Sequence, residues 1–100
     1  MLDIERIALA AIDRWGIEHQ KKKAVEEIGE LLTEMSREQD SRTTKWLIAG
    51  EIADVMILME QLRIIYGKSR IDSMLEIKAN RLAERLGLTE EKELTEEVES

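Results

Sequence analysis

Apolar residues recur three and four positions apart along almost the whole chain, the spacing that gathers side chains onto one face of an α-helix. Ile4, Ile7, Ala8, Ala11, Ile12 and Trp15 form the first stripe, with Asp3 placed to cap it and Gly16 to end it. A second stripe of Ala24, Ile28, Leu31, Leu32 and Met35 falls within a helix expected from Ile17 to Ser36. The polar stretch Arg37 to Thr43 follows as the longest internal connection. A third helix is expected from Thr44 to Tyr66, stopped by Gly67, with Leu47, Val55, Leu58, Leu62 and Ile65 on one face. Ser69 is a candidate cap for a fourth, in which Ile71, Met74, Leu75 and Leu82 line up and which runs to Leu86 before Gly87. Proline is absent and Val and Thr are few, so there is little strand signal. Short connections make consecutive helices antiparallel neighbours, and the fold expected is all-α, an antiparallel bundle of about four helices. Residues 1–87 read as one domain and residues 88–100 as an acidic tail of six acids and one lysine, in which Thr89 or Thr95 is placed to cap a short helix carrying Leu94 and Val98.

The third helix is apolar beyond a single stripe, because Trp46, Ala53, Ile57 and Ile64 occupy a second side. A helix apolar nearly all round sits at the centre of its fold or in an interface between copies. The expectation is a homodimer or homotetramer; the competing reading has Trp46 and Ile64 simply covered by the first helix.

Composition narrows the classes of function. The chain has 100 residues, enough for one domain to bury a core without staples. It has no cysteine, which excludes disulfides and thiolate metal sites. No apolar run approaches a membrane span, so a soluble cytoplasmic protein is expected. The net charge of −7 argues against nucleic-acid polymers and anionic membranes as partners.

Against this background the acids stand out. Glu51 and Asp54 fall on the same face as the apolar stripe of the third helix, where an unpaired carboxylate is costly, and no Lys or Arg lies within a turn of either on that helix. Glu27, Glu30 and Glu34 line the edge of the stripe on the second helix. Two such helices packed antiparallel pool their acids, and oxygen-only ligands suit a hard divalent ion, above all Mg²⁺. Glu27, Glu30, Glu51 and Asp54 are the candidate metal ligands. His19 is the one histidine and no Glu-x-x-His pattern occurs, which argues against a di-iron bundle.

The run Trp15-Gly16, Gln20, Lys23 and Glu26-Glu27-Ile28-Gly29-Glu30-Leu31, followed by Glu51-Ile52-Ala53-Asp54-Val55, resembles the MazG-like branch of the all-α nucleotide pyrophosphohydrolases. That family pairs an EExxE motif with a later ExxD, and the 20 residues between Glu30 and Glu51 suit the family's separation. The resemblance spans roughly Trp15 to Arg85. It implies Mg²⁺-dependent cleavage of a (deoxy)nucleoside triphosphate into monophosphate and pyrophosphate, with Mn²⁺ as a possible substitute. It also implies Glu26, Glu27, Glu30, Glu51 and Asp54 as catalytic residues, although Glu26 projects about 100° from Glu27. Lys78, Asn80 and Arg81 match a lysine, asparagine and arginine common in the family, with Arg85 beside them. Asn80, however, points nearly opposite to Lys78.

Lys23 is placed to touch phosphate or to pair with Glu27 one turn on. Gln20 is a candidate to read a base edge, with a surface polar residue as the default. Trp15 is a candidate for base stacking, with core packing the commoner use of such a position. The reading from another class is a non-catalytic helical dimerisation module whose inward acids pair with Lys78 and Arg85.

Overall fold

A computed structural model describes residues 2–38 and 41–88 and shows four helices, α1 (Ile4–Trp15), α2 (Ile17–Ser36), α3 (Arg42–Tyr66) and α4 (Lys68–Arg85). Asp3 caps α1 as expected, accepting from the backbone N–H of Glu5 at 3.0 Å and of Arg6 at 3.3 Å. Gly16 alone separates α1 from α2, at φ 90° and ψ 157°, a backbone region essentially closed to residues with a Cβ.

Two helix starts differ from the sequence expectation. α3 begins at Arg42 because Ser41 caps it, its Oγ accepting from the Thr44 N–H at 3.1 Å and donating to Thr44 Oγ1 at 2.7 Å. The first turn of α3 is polar, so the apolar pattern starts too late to reveal it. α4 begins at Lys68, directly after Gly67 at φ 108°, and Ser69 therefore lies inside the helix. At its other end Gly87 adopts φ 70° while Leu88 N–H donates to the Ala83 carbonyl at 2.8 Å and Gly87 N–H to that of Glu84 at 3.1 Å. This bond pair is a Schellman close. The expectations for Thr89, Leu94, Thr95 and Val98 lie outside the described residues.

α1, α2 and α3 pack on one another in a unit that ends at Gly67, with α2 against α3 the most extensive pairing. Among the described residues the buried apolar ones are Ala8, Ala11, Ala24, Ile48 and Leu58, and three of the five are alanines. Small side chains let the helix axes approach closely, but they fill little volume. The stripes read from sequence are consequently only partly inward. Ile12, Ile28, Leu31, Val55, Leu62 and Ile65 are half-buried, whereas Ile4, Ile7, Leu32, Met35 and Leu47 are exposed. Trp46 is 70% exposed, so the reading in which α1 covers it is corrected, while Ile64 is half-buried. Three helices share one narrow seam, and residues at the margins of a broad stripe fall outside it.

α4 belongs to a second unit that starts at Lys68. Taken by itself it is an amphipathic helix without a buried residue, and Ile71, Met74, Leu75 and Leu82 are exposed. Among the described residues no helix is long and apolar enough to cross a membrane.

Candidate metal centre

The centre is made where α2 and α3 run antiparallel. Glu27 comes from the middle of α2, and Glu51 and Asp54, three residues apart and so on one face, come from α3. One carboxylate oxygen of each lies within 4.8 Å of the other two. The side chain of Glu27 is only 12% exposed, Glu51 is half-buried, and Asp54 opens to solvent. The cluster is thus closed on one side and accessible on the other.

The decisive atom is Glu51 Oε2, which is buried without a hydrogen-bond partner. Native interiors satisfy nearly all such atoms, so an orphaned carboxylate oxygen on one of three clustered acids is open to a cation or a proton. Burial pushes the Glu51 carboxyl above the usual carboxylate range, and the charges of Glu27, Asp54 and Glu34 push it further. Glu30 is also raised, first by the charge of Glu27, then by burial, by a hydrogen bond with Glu27, and by Glu51 and Glu26. Three of the four expected ligands therefore share one point, and Glu30 stands beside them, hydrogen-bonded to Glu27. Glu34, outside the sequence motif, lies close enough to act on Glu51.

Lys23 is the α2 cation paired with these acids, with Nζ 3.2 Å from Glu27 Oε1 and 4.0 Å from Glu26 Oε1. The hydrogen bond to Glu27 and the nearby charges of Glu26, Glu27 and Glu30 raise the lysine above its ordinary value. The pairing one turn apart expected from sequence is therefore formed. Glu26, whose side chain is 59% exposed, is not among the three clustered acids.

Gln20 corrects its default reading as a surface residue. It is 4% exposed and donates from Nε2 to Gln61 Oε1, itself 4% exposed, at 2.6 Å. Gln61 was missed in the sequence, although its place between Leu58 and Leu62 on the inward face marks a polar residue among apolar ones. Trp15 is 56% exposed, which corrects the core-packing reading. Lys78, Asn80, Arg81 and Arg85 are exposed residues of α4, in the second unit.

Chemically, the three carboxylates offer hard oxygen donors and leave room for water on the Asp54 side, the donor set that suits Mg²⁺ or Mn²⁺. Comparison with protein-family models, curated proteins and solved structures finds no match to this chain.

Proposed function

We propose that this protein is a Mg²⁺-dependent nucleoside triphosphate pyrophosphohydrolase that releases a monophosphate and pyrophosphate. The observation that carries the reading is the orphaned Glu51 Oε2 within a cluster of carboxylates from two helices. Glu27, Glu51 and Asp54 would hold the ion, with Glu30 at the margin of the set. When bound, Mg²⁺ offsets phosphate charge and lowers the pKa of a coordinated water. The chain's own contribution is positional: the buried side of the cluster excludes water, and the Asp54 side admits a phosphate group. Lys23 tempers the charge of Glu27. In this reading Lys23 meets the triphosphate, Trp15 lies toward the nucleoside, and Glu26 orients a water. The protein works in the cytoplasm as a homodimer or homotetramer. The exposed apolar side chains of α3, Trp46 and Met56 foremost, support the assembly.

The Lys23–Glu27 ion pair favours a second reading, a helical dimerisation module whose acids serve only to form ion pairs. Metal separates the two. Free Mg²⁺ at about ten times its Kd adds roughly 1.4 kcal/mol of stability to an enzyme that binds it. For a domain of this size that raises Tm by roughly 5–10 °C. A panel of nucleoside triphosphates, assayed with Mg²⁺ for pyrophosphate against single phosphate, then identifies the bond cleaved. A melt that millimolar Mg²⁺ does not move, with no triphosphate consumed, leaves the module.

A further inference from the structure

We infer that Gln20 and Gln61 are positioning residues, whose buried side-chain pair sets the register in which α2 and α3 bring the acids face to face. The inference rests on the metal reading of those acids. Gln20 Nε2 donates to Gln61 Oε1 at 2.6 Å, and both residues are almost wholly buried. Gln20 Oε1 lies 2.8 Å from His19 Nδ1. An amide oxygen only accepts, so the ring N–H donates to it and turns the amide nitrogen of Gln20 toward Gln61.

The amides and the acids share one register. Gln20 precedes Glu27 by seven residues and Gln61 follows Asp54 by seven. In an antiparallel pair this interval, two helical turns or about 10.5 Å, carries the amide layer onto the layer of Glu27 and Asp54. Three further residues on each helix reach Glu30 and Glu51. Sliding α3 by one turn sets Leu58 or Ile65 opposite Gln20, and Ile17 or Ala24 opposite Gln61. None of these can accept or return a hydrogen bond, so both amides would be orphaned in the core, which costs far more than a paired amide gains.

The acids pull the other way. Without metal, like charges in adjacent layers repel. One of the two slips relieves most of this by placing Glu27 opposite Leu58, Glu30 opposite Val55 and Asp54 opposite Leu31, leaving only Glu51 opposite an acid, Glu34. Contacts among Ala24, Leu58 and their apolar neighbours are non-directional and tolerate exchange. A single hydrogen-bonded pair in an apolar seam does not, which is how one buried polar residue selects register in paired helices. The pair therefore holds the cluster assembled before any ion arrives.

The test compares the wild type with Gln20→Met/Gln61→Met, which keeps side-chain volume and removes the bond. The chain has no cysteine, so Lys22→Cys on α2 and Thr43→Cys on α3, both at exposed positions and about 24 Å apart along the helix axes, carry spin labels specifically. Labelled chain is diluted with unlabelled chain so that only intrachain distances are read, and Mn²⁺ affinity is measured in parallel. The wild type should give one narrow distance distribution. In the double variant it should broaden or shift by about 5 Å, one turn, and Mn²⁺ affinity should fall at least tenfold. Gln61→Asn, whose shortened amide does not reach Gln20, is read by the same two criteria should the double variant fail to fold. A variant that only melts lower, with distances unchanged and Mn²⁺ bound within about twofold of wild type, overturns the positioning role. A wild-type chain that ignores Mn²⁺ overturns the metal reading instead, and the distance measurement alone then decides the register.

Discussion

Glu51 concentrates the conflict between folding and function in one side chain, because its Oε2 lost its water on folding and gained only other acids. Glu51→Gln removes the charge and should raise Tm in EDTA while abolishing the response to Mg²⁺. A variant that still gains stability from Mg²⁺ to the wild-type extent would remove Glu51 from the metal site. Glu30 and Glu51 also set a pH dependence. Their folded values are raised above 4.5, so the folded chain binds these protons more tightly than the unfolded one. Their favourable contribution is complete below 4.5 and is lost as pH rises through the raised folded values. Glu30→Gln/Glu51→Gln mimics the protonated pair permanently. In metal-free melts its advantage over wild type should be near zero below that value and grow as pH rises above it. An advantage that is constant across pH would show that repulsion is not what it relieves. These acids were legible in the sequence because carboxylates on an apolar face demand a partner. Gln20 was not, since a lone amide on a helix flank looks like any surface glutamine until its partner, 41 residues away, is in view.

At the scale of elements, helix ends were readable wherever a local signal marked them. Asp3, Gly16, Gly67 and Gly87 all stand at or within two residues of a helix end. The start of α3 was hidden because Ser41, Arg42 and Thr43 carry no apolar periodicity. Gly16 and Gly29 make a matched test of what glycine does here. Gly16 at φ 90° and ψ 157° admits no Cβ without strain, and Gly16→Ala should cost about 1–3 kcal/mol. Gly29 is in mid-helix, and a Cβ there would meet nothing within 4 Å. Gly29→Ala should instead gain up to about 1 kcal/mol from helix propensity. Urea melts of the two variants should move in opposite directions, and movement in the same direction would contradict the assigned backbone of the α1–α2 junction.

At the scale of the whole molecule, many large apolar side chains are exposed and few are buried among the described residues. Alanines dominate the core of the three-helix unit, while Trp46, Met56, Leu47 and Val25 face outward. Scattered exposed leucines are ordinary, but several large side chains along one helix are the usual mark of an interface. If the proposed oligomer forms through α3, size-exclusion chromatography with light scattering should give a mass of at least twice 11.6 kDa. Trp46→Asp/Met56→Asp should reduce it to one chain. A wild-type monomer at micromolar concentration would end the oligomer proposal.

The chain's own order of residues determined that residues 2–88 form four helices, where most of them stop, and that acids on α2 and α3 lie toward the apolar side. Each of these depends on interactions within a few positions: one-turn periodicity, a capping oxygen, a glycine able to take positive φ. Tertiary structure alone decided that Glu27, Glu51 and Asp54 converge while Glu30 stands beside them, that Gln20 turns inward to Gln61, and that Trp15 and Trp46 stay outside. Those outcomes depend on how far one helix slides and rolls against another, a quantity set by contacts distant in sequence and invisible to any local pattern.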